Sequence, residues 1–331
     1  MEQERYDPVR GDALQRTSSG LLVWRKADNW TAFTDGATTW IYGPNGVESR
    51  PNDERFSWEQ DGGAVVAGAP PAAPPIFEPV VKAMDEQSGK AADAVTVLLK
   101  AVDQEWARVW GWQPSKPTTI YLYFDGDQMA DGFSVISGQP LTGVRRNDLS
   151  RGAAGIMTVD GGTGGWAVML NLGGHYGARE SDEYIKAVLV HEYTHVMQAD
   201  VAGATGPAWF REGMAELNAY VKAPGAVRYF DRPSFVSWYR QLGKLPTLSY
   251  LQDNWQKLER TGEMEQVIYG VSYLAVEYLS EKVGGMPLLE VLRKTANGEA
   301  FEMALQETTG YSLDRLDREY RAKIPAKPSW E

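Results

Sequence analysis

The pattern of hydrophobic and polar residues indicates three short strands near the middle of the chain. The stretch 118–124 (TTIYLYF) alternates as a β-strand does, and 155–159 and 166–172 are two further strand candidates. A glycine-rich turn at 161–165 joins the last two stretches. This pattern predicts a small sheet in the middle of the protein.

A helical period lies on both sides of these strands. Residues 80–112 have helical character, interrupted near Ser88 and Gly89, and one apolar face is formed by Val95, Leu98, Leu99 and Val102. From residue 234 onward the chain is predicted to be almost entirely helical, with glycines at the expected helix ends. Strands followed by a long run of helices indicate the α+β fold class.

A proline–alanine tract at 67–75 divides the chain, because such a composition favours extended, semi-rigid backbone. We therefore predict a small aromatic-rich β module at 1–66, a linker at 67–79 and a main domain at 80–331. Within the main domain, 80–202 are expected to hold the sheet and the helix described below, and 203–331 a helical subdomain.

The small module is dense in tryptophan, tyrosine and phenylalanine. Its turn signals, Asp35-Gly36 and Asn45-Gly46, suggest two short strands. A module of this size buries little core, which favours packing against the main domain. Binding of sugar or peptide by exposed tryptophans (among Trp24, Trp30, Trp40 and Trp58) is the alternative.

Two of the three histidines fall in one five-residue stretch, 191–195 (HEYTH). Residues four apart lie on the same face of an α-helix, so both imidazoles can bind one metal ion. Glu192, beside the first histidine, then faces the open side of the ion and suits the role of general base. This H-E-x-x-H pattern predicts His191 and His195 as zinc ligands on a helix that begins near Ser181.

A third ligand is expected from the next helix, which follows a glycine–proline loop at 203–207. If this helix returns antiparallel to the first, Glu212 reaches the ion. Two histidines, one carboxylate and a water are the ligands of an open, catalytic zinc site. Glu216, one turn later, suits a hydrogen bond to the second ring nitrogen of a ligating histidine. Gly213 is expected where this helix approaches the histidine helix most closely.

Together, HEYTH and the W-x-x-E-G-x-A pattern at 209–215 resemble the gluzincin metallopeptidases, especially the aminopeptidase-type members and related bacterial peptidases. The resemblance implies a zincin-like metallopeptidase domain, with a mixed sheet and zinc helices followed by a helical subdomain. It implies Zn²⁺ as the cofactor, bound by His191, His195 and Glu212, and Glu192 as general base. Arg211 stands where the aminopeptidases usually have asparagine.

The resemblance also covers two further elements. In gluzincins the strand before the zinc helix is a sheet edge that pairs with extended substrate, which implies this role for 166–172 or its neighbour. A later helix, 269–279, is similar to one whose first tyrosine hydrogen-bonds the oxyanion on the substrate carbonyl. This similarity implies that role for Tyr269, with Tyr273 as the fallback; packing on an apolar helix face is the structural alternative.

Composition limits the classes of partner and of chemistry that suit this protein. A net charge of −11 disfavours nucleic acid, because phosphate binding needs basic surface. No apolar stretch approaches the roughly 18 residues of a membrane span. The absence of cysteine excludes thiol catalysis, disulfides and cysteine-bound zinc. We expect a peptide or protein substrate; the oligomeric state leaves no trace in the sequence.

Residues 1–20 are polar and charged and lack the apolar core of a signal peptide. Either the protein is cytoplasmic, or a leader has been removed from this sequence. The small module resembles segments attached to secreted bacterial proteins, which favours an extracellular or cell-envelope location.

These observations predict zinc-dependent hydrolysis of peptide bonds by a metal-activated water, with Glu192 as general base. Two alternatives stay open. One is a non-catalytic zinc-binding or surface-binding protein on a peptidase fold, although such a protein has no need for Glu192 between two ligands. The other is a zinc hydrolase of a non-peptide amide or ester.

Overall fold

The computed structural model describes residues 5–6, 13–17, 19–25, 30–43, 46–54, 77–143, 146, 149, 154–173, 182–225, 231–261 and 264–329. The chain forms two compact units, Met1–Ala73 and Pro74–Glu331. We call them the N-terminal unit and the main domain. The whole chain belongs to the α+β class, because a helix-rich domain accompanies one antiparallel and one mixed sheet.

The N-terminal unit contains an antiparallel sheet in which each described strand pairs with the next one in sequence. The strands are β1 (Arg5–Tyr6), β2 (Ala13–Thr17), β3 (Gly20–Arg25), β4 (Trp30–Thr34), β5 (Thr38–Gly43) and β6 (Gly46–Pro51). The two short strands predicted for this region are therefore fewer than the six strands that the structure describes there. Strands such as β2 (ALQRT) have little apolar content, so their pairing comes from the neighbouring strands and not from a local signal.

One face of β5 carries exposed aromatic side chains. Trp40 and Tyr42 lie two residues apart and are 38% and 50% exposed, whereas Ile41 between them is buried. The Asp35 carboxylate closes the preceding turn by accepting hydrogen bonds from the backbone N–H groups of Ala37 and Thr38, at 2.8 and 2.7 Å. Trp58, which was counted among the candidate binding residues, lies outside the described residues.

The main domain contains a mixed four-stranded sheet in the order β7–β8–β10–β9. Its strands are β7 (Val80–Ala83), β8 (Thr118–Tyr123), β9 (Gly155–Val159) and β10 (Trp166–Asn171). β7, β8 and β10 are parallel, and β9 pairs antiparallel with β10 at the edge. The three predicted strands are confirmed.

β7 corrects the prediction that the whole of 80–112 is helical. Val80 to Ala83 pairs in register with Thr119 to Leu122, and that tertiary pairing outweighs the local helical signal. The predicted interruption near Ser88 separates two helices, α1 (Glu86–Gly89) and α2 (Ala92–Val109). Asp85 and Ser88 form a capping box at the start of α1.

Alternation along β8 divides the core between the two faces of the sheet. Ile120 and Leu122 join the larger core with α2, whereas Tyr121 and Tyr123 pack with α3 (Gly126–Ser137) on the other face. Helix α3 was not predicted.

After the sheet, the regular structure of the described residues is helical. The helices are α4 (Asp182–Ala202), α5 (Ala208–Lys222), α6 (Arg232–Gln241), α7 (Leu248–Glu259), α8 (Met264–Val283), α9 (Met286–Ala296), α10 (Phe301–Thr309) and α11 (Leu313–Arg321). α4 carries HEYTH and packs against β9 and β10, while α5 packs against both α4 and α8. Of the helices described, none is both long and apolar enough to cross a membrane.

Asp200, near the end of α4, ties this helix to the start of the sheet. Its carboxylate accepts hydrogen bonds from Trp112 Nε1 at 3.0 Å, Trp166 Nε1 at 3.1 Å and the Ser115 backbone N–H at 2.9 Å. The Ser115 hydroxyl donates a further hydrogen bond. Four donors to one carboxylate fix the position of α4 along the sheet.

Gly213 allows close approach between α5 and α8, and not between α5 and the histidine helix as predicted. A Cβ atom at position 213 would lie 2.6 Å from Val276 Cγ2 and 2.8 Å from the Ser272 carbonyl carbon. Consecutive helical residues point about 100° apart, so Glu212 can face α4 while Gly213 faces α8.

We predict that Gly213→Ala lowers the free energy of unfolding by about 1–3 kcal/mol, because the added methyl group forces α5 away from α8. Chemical denaturation of the two proteins measures the difference. Gly89→Ala is the matched control, since its added Cβ meets only Ala83 Cβ at 3.9 Å. Equal destabilisation by both substitutions would contradict the close-approach role of Gly213.

Candidate metal centre

Three side chains from α4 and α5 converge on one point. His191 Nε2 and His195 Nε2 lie 3.2 Å apart, and each lies 3.3 Å from Glu212 Oε2. Ligand atoms at 2.0–2.1 Å from a tetrahedral zinc ion lie about 3.3 Å from one another. The three atoms therefore have the spacing that one such ion requires, and within the described residues they form the one group of this kind.

The local structure of two consecutive helices produces this triangle. His191 and His195 are one turn apart on α4, so their rings lie side by side, with centroids 4.9 Å apart. The chain then reverses through 203–207, where Gly203, Ala204 and Gly206 all have positive φ. The reversal brings the first turns of α5, with Glu212, back to the histidines.

The outer nitrogen of His191 is held by Glu216. His191 Nδ1 lies 3.0 Å from Glu216 Oε1, and the same oxygen pairs with the guanidinium of Arg232 on α6. A hydrogen bond from Nδ1–H to the carboxylate leaves the lone pair of Nε2 directed at the triangle. The position predicted for Glu216 is thus the one it occupies.

The outer nitrogen of His195 is held by Gln198. His195 Nδ1 lies 2.9 Å from Gln198 Oε1, and Gln198 Nε2 donates to the Arg211 carbonyl at 2.8 Å. The amide is therefore oriented from both ends, and it orients the imidazole in turn. Gln198 was not predicted, although its place three residues after His195, on the same helix face, was an available signal.

Arg232 was also not predicted from the sequence. It is buried, and its guanidinium lies 4.5 Å from the centroid of the Tyr269 ring. Gly270 makes room for α6 here, since a Cβ atom at position 270 would lie 2.8 Å from the Arg232 carbonyl oxygen. Arg232 thus contacts both the carboxylate behind His191 and the predicted oxyanion tyrosine. No local pattern in the sequence links a residue on α6 to either.

Glu192 lies between the triangle and the edge strand β9. Its side chain is buried, with 8% of the residue exposed, and it lines the cleft together with residues 155–157 of β9. Burial raises the pKa of Glu192, while the neighbouring histidines oppose that shift. Gly155 permits this contact, because a Cβ atom at position 155 would lie 2.7 Å from Glu192 Cγ.

Tyr269 lies beside the triangle on α8. Its ring centroid is 6.4 Å from that of His191, and its hydroxyl donates to Glu259 Oε1 at 3.0 Å. Burial, with the charges of Glu212 and Glu259, raises the pKa of Tyr269 well above its usual value, so the phenol keeps its proton. The fallback, Tyr273, donates instead to Glu277 and packs on Tyr220.

A cleft of about 370 Å³ opens over these groups. It is lined by the three ligand side chains, Glu192, Gln198, Arg211, Glu259, Tyr269 and residues 155–157 of β9, among others. β10 lies between β8 and β9, so it is not the edge; its neighbour β9 is. Of the remaining predictions, the helix start at Ser181 lies outside the described residues.

Hydrogen bonds and neighbouring charges favour protonated histidines and an ionised Glu212 in the triangle. Burial disfavours the charged imidazole of His191, but hydrogen bonds to Glu212 and Glu216 outweigh it and raise the pKa of His191 to about 10. Burial opposes ionisation of Glu212 as well, yet the two histidines hold the pKa of Glu212 well below its usual value. A cation that binds here displaces these protons.

Comparison with known proteins adds little to this geometry. No family model matches the chain. The chain is similar to the uncharacterized protein YhcO of Bacillus subtilis (strain 168), with 24% identity over 144 residues. This match covers 41% of the chain and 40% of YhcO, so it spans about two fifths of that relative's length. A function has to be inferred from the site itself.

We predict that the chelator-treated protein binds one zinc ion per chain. His191→Ala should abolish this binding because it removes one of three ligand atoms, and Glu212→Gln should weaken it strongly because it replaces the charged carboxylate by a neutral amide. Elemental analysis after dialysis against zinc measures the stoichiometry. His175→Ala, which removes the histidine outside the described residues, is the matched control and should keep the metal. Equal zinc content in His191→Ala and the unmodified protein would contradict the assignment.

We also predict that Glu216→Gln and Gln198→Leu each raise the zinc dissociation constant about 10- to 100-fold. Gln198→Leu removes the acceptor that orients His195, and Glu216→Gln replaces the charged acceptor behind His191 by a weaker neutral one. Competition with a fluorescent zinc chelator measures the constant. Glu277→Gln changes a glutamate on α8 that hydrogen-bonds Tyr273 and not a ligand, so its zinc affinity should be unchanged. A comparable loss in this control would show that the effect is not specific to the ligand partners.

Proposed function

We propose that this protein is a zinc-dependent peptidase with a zincin-like domain of the gluzincin type. The observation that carries the proposal is the triangle of His191, His195 and Glu212 with the Glu192 carboxylate in the same cleft. Three ligands with one open position distinguish a catalytic zinc site from a structural one, where four protein ligands close the sphere.

The residues fit the ion in chemistry as well as in spacing. Two imidazole nitrogens and one carboxylate oxygen suit zinc better than calcium or magnesium, which prefer oxygen ligands. A divalent cation would also compensate the buried charges of Glu192 and Glu212. Both histidines have a partner on the outer nitrogen, as ligating histidines usually do.

When bound, zinc supplies a water whose pKa is lowered to about 7 and polarises a substrate carbonyl. Glu192 lines the same cleft as the three candidate ligands, within reach of a water held there, and a carboxylate at this position suits the role of general base. Glu192 takes the proton of the attacking water and passes it to the leaving amine.

Tyr269 is the proposed donor to the oxyanion that forms on the substrate carbonyl. Tyr269 lines the cleft, and its hydroxyl keeps its proton. When a substrate binds, this hydroxyl redirects its hydrogen bond from Glu259 to the oxygen of the substrate carbonyl. Arg232 lies over the ring and restricts its movement.

The exposed edge of β9 is the proposed binding site for extended peptide. Residues 155–157 line the cleft beside Glu192, so a strand added to β9 would place its backbone over the triangle. This geometry favours a peptide over a compact ester or amide, because main-chain hydrogen bonds along the strand position the scissile bond.

We predict that Glu192→Gln keeps the zinc affinity of the unmodified protein but lowers kcat by at least about 10²-fold, because it removes the general base and leaves the ligands in place. The zinc-loaded proteins are incubated with a mixed peptide library, with and without chelator, and the products are identified by mass spectrometry. Glu277→Gln is the control and should cleave as the unmodified protein does.

Three outcomes would contradict the proposal. Equal cleavage by Glu192→Gln and the unmodified protein would exclude the mechanism. Zinc binding with no cleavage would favour the non-catalytic alternative. Hydrolysis of ester or non-peptide amide substrates alone would favour a zinc hydrolase that does not act on peptides.

A further inference from the structure

Arg211 has no role in the proposed mechanism, yet it occupies a central place in the cleft. It precedes the ligand Glu212 on α5 and lines both the cleft and a neighbouring cavity of about 1010 Å³ that runs along α7. The two cavities share Arg211, Glu212 and Glu259. Arg211 therefore stands where one cavity meets the other.

The Arg211 guanidinium lacks the partners that a half-buried arginine usually has. Its Nε is buried without a hydrogen-bond partner, and no ion pair joins its side chain to the described carboxylates. Its backbone carbonyl, by contrast, is bonded to Gln198. Because leaving a buried donor unsatisfied costs free energy, such a group in a cleft is suited to an incoming acceptor.

The carboxylates around Arg211 are committed to other groups. Glu212 pairs with both histidines, and Glu259 accepts a hydrogen bond from Tyr269. Glu192 is buried against Gly155 of β9. Among the described residues that line the smaller cleft, Arg211 is the sole lysine or arginine. An anion that enters the cleft therefore finds one cationic side chain, whose buried Nε–H has no partner among the described residues.

We propose that Arg211 binds a carboxylate of the substrate where the two cavities meet, and so makes the protein selective for peptides with an acidic group close to the scissile bond. The inference rests on the peptidase function proposed above. The guanidinium presents its donors in a planar fork that matches a carboxylate. An acidic side chain and a C-terminal carboxylate offer this same chemistry.

The test uses the zinc-loaded full chain and two matched pairs of peptides built on a sequence the protein cleaves. One pair differs by Glu or Gln beside the scissile bond, and the other by a free or amidated C-terminus. We expect kcat/KM to be about 10- to 100-fold higher for the acidic member of one pair, the size expected for a hydrogen bond to a charged group. The pair that shows the preference identifies the source of the carboxylate.

Arg211→Gln should bring the preferred ratio close to one, mainly through KM, and Arg211→Lys should retain part of it. Arg293→Gln is the matched control: it removes an exposed arginine that pairs with Glu290 on α9 and should keep the full ratio. An unmodified protein without preference would overturn the inference. So would a ratio that is the same in Arg211→Gln and the unmodified protein.

A binding measurement separates this inference from the peptidase function. The same peptides are titrated into zinc-loaded Glu192→Gln by calorimetry, with and without Arg211→Gln. Tighter binding of the acidic peptide that is lost with Arg211→Gln supports the carboxylate site even if no peptide is cleaved. Equal binding of acidic and neutral peptides overturns it even if cleavage is observed.

Discussion

Mutual compensation of buried charges is the constraint on which the rest of the structure depends. Two imidazoles, three carboxylates and one guanidinium lie together inside the helical part of the domain. Each would be costly to bury alone. Because Glu216 is shared by His191 and Arg232, the ligand helices and α6 are joined through one carboxylate. Residues from α4, α5 and α6 therefore meet at one cluster of charges.

Three glycines let the helices and β9 approach one another closely enough for the buried charges to meet. Gly155 admits Glu192 to the edge of β9, Gly213 brings α5 onto α8, and Gly270 brings α8 onto α6. None of the three has the positive φ that would explain a glycine by turn geometry. Their common property is the absent side chain, so the site is specified by small residues as much as by charged ones.

The parts of the site that sequence could reveal are those with a local period. His191, Glu192, His195 and Gln198 lie on one helix, and Glu212 and Glu216 lie one turn apart on the next, so helical geometry alone relates them. Arg232 is joined to Glu216 by the packing of α6 against α8, and no repeat in the sequence reports that packing. The direction in which Gly213 faces was misjudged for the same reason.

The elements of the fold also divide into those that the sequence revealed and those that it did not. Three strands of the main sheet and the helical region after 203 were recognisable from the local hydrophobic pattern. β7 was mistaken for helix, because VVKA has too few residues to show a period and becomes a strand by pairing with β8. In the N-terminal unit, strands such as β2 have few apolar residues, so their sequences did not indicate strands. Their structure comes from pairing with the neighbouring strands.

The contact between Glu192 and β9 reaches further along the chain than the candidate ligands do. These ligands span only residues 191–212, two consecutive helices and one loop, whereas Gly155, against which Glu192 packs, precedes the long connection to α4. On the proposed function, metal binding therefore requires only α4 and α5, and placement of the proposed base requires β9 as well. A variant that loosens β9 can keep its metal and still lack a correctly placed Glu192.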